Sequence, residues 1–331
     1  MAKIGVVGSG AWGTALAAMA ARGGHQAVLW SREQDVVDEI NQEATNRRSL
    51  PGAALPEGVS ATLDADTALK GADAVLFVVP AQATRAVAEG LVSVIAPGTP
   101  VLTCSKGIEQ ESGRFMSEVL AEVLPEVQAG ALSGPSFAVD VVRGLPTAVT
   151  VAASGITEAE RLAALLSAPT FRPYASDDLI GVEIGGALKN VLAIAAGAVA
   201  GRGLGKSAEA AVIARGFAEL SRFGQTRGAR GETLMGLSGL GDLVLTCSSP
   251  QSRNYAFGMA LGAGETVDAL LAGGRPLAEG AHTASVLAAM AVREGIDMPI
   301  AGAVAAVLSG RLTIDAAIDG LLQRPLKREG L

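Results

Sequence analysis

The rhythm of apolar positions along this chain changes once, near residue 178. Up to that point, short runs rich in Val, Ile, Leu and Ala alternate with longer stretches of helical composition. That is the pattern of a parallel sheet whose strands are joined by crossover helices. It predicts strands over 4–7, 27–30, 74–79, 100–104, 129–132, 148–152 and 171–174. The run 74–79 reads Ala-Val-Leu-Phe-Val-Val with no polar alternation, so it is a central strand covered on both faces, and Pro80 stops it. After Asp178 the strand-like runs disappear. Ala, Leu, Gly and Glu take over in stretches separated by Gly or Pro, which predicts helices over 179–200, 207–226, 252–261, 267–271, 281–293, 300–308 and 314–322. The division implied is an α/β domain over 1–178 followed by an all-helical domain over 179–331.

Composition narrows what such a chain can do. Its 331 residues favour two domains with ample core. With 26 Lys+Arg against 33 Asp+Glu the net charge is 26 − 33 = −7, which argues against a general nucleic-acid binder; a small anion needs only a local positive pocket. The two cysteines, Cys104 and Cys247, form no CxxC pair, and with only His25 and His282 no three-His metal site is available. No metal is expected, the setting is a reduced cytoplasm, and proton transfer falls to Lys, Asp or Glu. The N-terminus mimics a signal peptide, with Lys3 and the Ala-rich 15–21, but Gly5, Gly8, Gly10 and Gly13 break the apolar run. No uninterrupted apolar stretch reaches the roughly 18 residues of a membrane span, so no membrane insertion is expected.

Gly8-Ser9-Gly10-Ala11-Trp12-Gly13 is a GxGxxG run set directly after the first strand and before the helical stretch 14–22. As a string it is weak, and a ligand-free Gly-rich turn is the bland reading. The strand–turn–helix context is what dinucleotide binding demands, and it makes the first domain a Rossmann-type, doubly wound sheet. Gly8 would allow the sharp turn, Gly10 the approach of a pyrophosphate and Gly13 the close packing of helix on strand. About 20 residues later an NAD site usually carries an acid. Here Ser31-Arg32-Glu33 follow Trp30. Arg32 can face a 2′-phosphate, which favours NADP over NAD, while Glu33 keeps NAD open; the bland reading is a solvated surface arginine.

Between Ile184 and Val199 only Lys189 and Asn190 are polar. On a helix, Lys189 neighbours Gly185, Gly186, Leu192 and Ala193, so it has no local acid to pair with. Desolvation would lower its pKa and suit it to exchange a proton with a carbonyl oxygen. The alternative is a lysine that snorkels to the surface. The stretch 239–254 opens with Gly239-Leu240-Gly241, which reads as a flexible turn. Asp242 follows, a possible counter-charge for Lys189, and the stretch closes with Ser252-Arg253-Asn254 at a helix start. Free amides and a guanidinium there suit a phosphate, although a simple helix cap explains each piece taken alone. Lys106 follows the strand 100–104, at the carboxyl edge where open α/β sheets bind ligands. Both cysteines read as small buried hydrophobes.

These blocks, with Ser105-Lys106-Gly107, Ser133-Gly134-Pro135-Ser136-Phe137-Ala138 and Gly186-Ala187-Leu188-Lys189-Asn190, together resemble the bacterial NAD(P)-dependent glycerol-3-phosphate dehydrogenases, in order and over nearly the whole chain. The resemblance implies reversible reduction of dihydroxyacetone phosphate to sn-glycerol 3-phosphate for glycerophospholipid synthesis, by a homodimer. It implies Lys189 as proton donor or acceptor, and substrate contacts from Lys106, Gly134, Ser136, Asp242, Ser252, Arg253 and Asn254. Cofactor contacts would come from Trp12, Arg32, Lys106, Ala138, Arg253, Leu277 and Glu279, beside the three glycines. Two positions depart from the family: Ala11 stands where a cofactor-binding Ser is common, and Ala281-His282 follow Glu279-Gly280 where an aromatic residue is more usual. A 3-hydroxyacid or ketopantoate-type dehydrogenase shares the Rossmann domain, helical domain and lysine but recognises a carboxylate. A non-catalytic NADP-sensing module would need the glycines but not Lys189.

Overall fold

The structure, a computed structural model, describes residues 1–272, 278–326 and 328. Eight strands make one sheet: β1 (Lys3–Val7), β2 (Gln26–Trp30), β3 (Val59–Thr62), β4 (Ala74–Phe77), β5 (Pro100–Thr103), β6 (Gln128–Ser133), β7 (Thr147–Ala152) and β8 (Phe171–Ser176). Their order is β3-β2-β1-β4-β5-β6-β7-β8. All neighbours are parallel except β6 and β7. The chain reverses its direction of travel across the sheet between β1 and β4, which opens a crevice at their carboxyl ends. The registers Val7 with Trp30 and Val7 with Phe77 align those ends, so Gly8, Ser31 and Val78 leave the sheet at one edge.

Both faces of the sheet are covered, as the unalternating central run requires. Ile4, Val6, Leu29, Leu76 and Leu102 pack into one core with the helix Ala11–Arg22. Val7, Val28, Val75, Phe77 and Val101 pack into another on the opposite face. Two features of the sheet differ from the sequence expectation. Strand β3 is additional; it is an edge strand in which only Ala61 is buried, so its sequence Val-Ser-Ala-Thr carries no hydrophobic run. The antiparallel β6–β7 pair also escapes a local reading, because side-chain alternation is the same in either strand direction.

Among the described residues no strand follows Ser176. The helical part is built around Leu179–Gly201, a 23-residue helix whose start is capped by Asp178 accepting from the Gly181 amide at 3.0 Å. By length and mean hydropathy (1.6) this helix could cross a membrane, yet 83% of that apolar window is buried inside the protein. It is the core of the second half. Helices Lys206–Thr226, Arg253–Gly262, Glu279–Glu294 and Pro299–Leu308 surround it, together with Ile108 and Phe115 from the sheet-bearing half. The stretch at Gly239, expected as a flexible turn, is instead a π-helical turn, Leu237–Gly241, running into the helix Asp242–Ser248. Its glycines serve packing: a Cβ on Gly239 would stand 1.9 Å from the Leu234 carbonyl oxygen, and one on Gly185 would stand 2.4 Å from that of Ser238.

Backbone contact also joins the central helix to Arg253–Gly262. A Cβ on Gly197 would lie 2.1 Å from the Tyr255 carbonyl oxygen, and one on Gly258 would lie 2.1 Å from that of Ile194. Gly201 and Gly262 repeat the exchange one turn further on. With spacing of four on each helix, the two backbones meet without side chains between them. Gly197→Ala should therefore destabilise by about 1–3 kcal/mol, the usual cost of overpacking. Gly302→Ala, on a helix where a Cβ meets nothing within 4 Å, should stabilise by about 0.5–1 kcal/mol. Urea denaturation of both variants checks this, and equal effects would contradict the packing role.

Candidate active site

The central helix presents Lys189 toward the carboxyl edge of the sheet, and three other segments converge on it. Lys189 is 7% exposed and its Nζ donates to Asp242 Oδ1 at 2.6 Å and to Thr246 Oγ1 at 2.8 Å. The other carboxylate oxygen, Asp242 Oδ2, accepts from Lys106 Nζ at 2.7 Å. Lys106 Nζ also donates to the Gly134 carbonyl at 3.0 Å, and Ser136 Oγ donates to that same carbonyl at 3.0 Å. Gly134 has φ +141°, and a Cβ there would sit 2.9 Å from Val149 Cα, so the turn after β6 that offers this carbonyl requires glycine. Two lysines thus share one buried carboxylate, leaving a net charge of +1 in a chain whose overall charge is −7.

That arrangement sets the protonation of the cluster. Burial pushes the Lys189 ammonium down, the Asp242 carboxylate partly restores it and the Lys106 charge opposes it; the result is about 8. Burial would raise Asp242, but the ammoniums of Lys106 and Lys189 outweigh it and hold the carboxyl below its ordinary range. The sequence does not single out Thr246, whose position one turn after Asp242 becomes informative only once 242–248 is a helix. Asn190, legible in the sequence only as a polar position, holds segments together. Its Nδ2 donates to the Lys106 carbonyl at 2.9 Å and its Oδ1 accepts from Asn254 Nδ2 at 2.9 Å. Asn254 Oδ1 in turn accepts from the Gly280 amide at 2.9 Å. This relay ties the loop after β5, the central helix and two further helices together behind the lysines.

Around this centre the remaining residues fall into two groups. Ser252 caps its helix by accepting from the Tyr255 amide at 3.2 Å, and Arg253 is exposed in a first turn whose Asn254 and Tyr255 are buried. Glu279 is half-buried and joins the nearby loop by accepting from the Ala81 amide at 3.3 Å through Oε1. Its Oε2 is buried without a hydrogen-bond partner, and desolvation raises its pKa. Helix 279–294 begins at Glu279, so Ala281 and His282 lie in its first turn. Leu277 lies outside the described residues.

The glycine run forms the second group. Gly8 has φ +110° and faces the Val78 carbonyl, and a Cβ on Gly13 would stand 2.0 Å from the Gly8 carbonyl oxygen. Gly10 caps the helix Ala11–Arg22 with open space around it, and no side chain covers the first amides of that helix. Such a terminus suits an anion. Trp12 Nε1 is buried without a partner beside it. Ala138 opens the short helix after Gly134 and packs against the sheet core. At the end of β2, Ser31 Oγ meets Ser9 Oγ at 2.7 Å, Arg32 is exposed, and Glu33 pairs with Arg48 at 2.8 Å. An open Gly10 and unpaired polar atoms on Trp12 and Glu279 fit a bound dinucleotide. Cys104 and Cys247 stay protonated, since burial pushes both thiols up, Cys247 to about 12. Among the described residues no group of three His, Cys, Asp or Glu is placed to hold a metal ion.

Residues 3–159 match the NAD-dependent glycerol-3-phosphate dehydrogenase N-terminus, and residues 178–319 match the corresponding C-terminus. The chain belongs to the NAD-dependent glycerol-3-phosphate dehydrogenase family. It is 58% identical over 327 residues to the glycerol-3-phosphate dehydrogenase (NAD(P)+) of Brucella canis, covering 99% of both chains. The crystal structure of glycerol-3-phosphate dehydrogenase from Coxiella burnetii superposes with TM-score 0.92 at 40% identity, covering 98% of this chain and 99% of that one. A ketopantoate reductase from Ralstonia eutropha reaches TM-score 0.59 at 20% identity over 93% of this chain and 98% of that one, a likeness of fold alone.

Asp242→Ala should destabilise the fold by about 3–5 kcal/mol, because it strands the buried Lys189 ammonium, and the part-buried one of Lys106, without their anion. Lys189→Ala should cost clearly less, since Asp242 keeps Lys106 as its partner. Equal losses in urea denaturation would contradict the shared carboxylate.

Proposed function

We propose that this chain catalyses the reversible NAD(P)H-dependent reduction of dihydroxyacetone phosphate to sn-glycerol 3-phosphate. The observation that carries the proposal is the buried Lys189 amine, bound to Asp242 and Thr246 and poised at about 8, at the carboxyl edge of a dinucleotide-binding sheet. A sensing module would have no use for such a lysine, and family membership favours the phosphate substrate over the carboxylate of ketopantoate-type enzymes.

The reaction joins dihydroxyacetone phosphate, NAD(P)H and one proton to give glycerol 3-phosphate and NAD(P)+. A nicotinamide held at the nucleotide side would supply the hydride for the carbonyl carbon. Lys189 supplies the proton to the carbonyl oxygen as negative charge develops there, and in the reverse direction its neutral amine accepts the proton from the hydroxyl. A pKa near 8 keeps both forms within reach around neutral pH. Lys106 adds a positive charge beside the same oxygen, and Asp242 holds both lysines in place. Arg253 and the first amides of its helix, with Ser252, Asn254, Gly134 and Ser136, form the wall that receives the phosphate. Gly8, Gly10, Trp12, Gly13, Arg32, Lys106, Ala138, Arg253, Leu277 and Glu279 form the nucleotide side, with NADP favoured over NAD by the lack of an acid at Ser31. In this reading residues 1–178 bind the nucleotide and 179–331 the substrate, and the enzyme is a cytoplasmic homodimer feeding glycerophospholipid synthesis.

Lys189→Ala should fold and bind nucleotide yet lose roughly 10²-fold or more in kcat for dihydroxyacetone phosphate reduction, the usual worth of a positioned acid. Near-normal turnover in a folded variant would remove Lys189 from the mechanism.

A further inference from the structure

The segment after the helix Gln34–Glu43 is fastened to the glycine-rich loop by one fully buried side chain. Asn46 Nδ2 donates to the Ser9 carbonyl at 2.8 Å and to Thr14 Oγ1 at 2.8 Å. The Asn46 carbonyl accepts from the amides of Ser49 (3.2 Å) and Leu50 (2.8 Å), which closes a turn with Arg47 and Arg48 inside it. The two arginines then diverge. Arg47 lies back on the preceding helix, where Glu39 takes its Nε at 3.0 Å and Glu43 takes its Nη2 at 2.7 Å. Arg48 reaches the end of β2 instead, where its Nη1 meets Glu33 Oε2 at 2.8 Å, one residue beyond the exposed Arg32.

We infer that Arg48 reads the 2′-phosphate of NADP(H) together with Arg32, and that Glu33 holds Arg48 when this phosphate is absent. The inference rests on the nucleotide site of the proposed function. In a sheet of this order the end of β2 is where the 2′-substituent of the adenosine ribose lies. The Arg48–Glu33 pair is largely exposed, with side chains 66% and 46% accessible, so the pairing is weak and readily exchanged for a dianion. A phosphate offers a guanidinium the same forked geometry as a carboxylate with more charge. Because Asn46 anchors this turn to the glycine loop, the cation is held at a set distance from the pyrophosphate-binding amides.

Calorimetric titration with adenosine 2′,5′-bisphosphate and with 5′-AMP tests this without turnover. Arg48→Ala should weaken the bisphosphate and NADPH by at least ~10-fold, the loss of one charge-assisted pairing. It should leave 5′-AMP and NADH within about 2-fold, because neither carries the group that is read. Glu33→Gln should tighten the bisphosphate, and Arg47→Ala should change no ratio. Equal weakening of all four ligands, or of none, by Arg48→Ala overturns the assignment, and an unchanged Glu33→Gln overturns the role given to Glu33. A wild-type chain that binds neither NADPH nor NADH overturns the dinucleotide reading itself, and the inference with it.

Discussion

One buried carboxylate, Asp242, bears the charge of two lysines that come from opposite halves of the chain. Lys106 arrives from the carboxyl end of β5 and Lys189 from the central helix, and that acid and the Asn190 relay join them. Burial works against the charge on Lys189, and the Asp242 carboxylate partly restores it. Held by one anion, the two lysines keep a surplus positive charge in the crevice of an acidic protein, which suits an anionic substrate and leaves Lys189 with a proton it can release.

The helix packing keeps these groups in register. Reciprocal glycines let Arg253–Gly262 lie directly on the central helix, and at the start of that helix Asn254 bonds Asn190, the residue next to Lys189. The π-helical turn at Leu237–Gly241 is pressed against Gly185 in the same way and starts the helix that carries Asp242 and Thr246. A methyl group at any of these contacts would meet backbone atoms of the facing segment and force it away, so glycine is required there by close packing.

Much of this is legible in the sequence for a physical reason. The buried strands and the central helix announce themselves by uninterrupted apolar runs, and Lys189 stands out because its helical neighbours offer no partner. The strand β3, the reversed β7 and the π-helical turn at Gly239 are not legible. An edge strand needs only one buried residue, strand direction leaves no local trace, and a glycine placed for helix contact looks like one placed for a turn. The roles of Thr246, Asn190 and the buried Asn46 are hidden for a related reason: their partners lie far away in sequence, at Lys189, Lys106 and Ser9.

The central claim is that burial and the shared Asp242 together set the proton affinity of Lys189. Its most direct test is an NMR titration of the full chain carrying lysine labelled at Cε, with the Lys189 resonance assigned by its loss in Lys189→Ala. The midpoint should fall near 8 and move lower in Asp242→Asn, because the carboxylate favours the ammonium. A midpoint near the unperturbed 10.5, unmoved by Asp242→Asn, would contradict it.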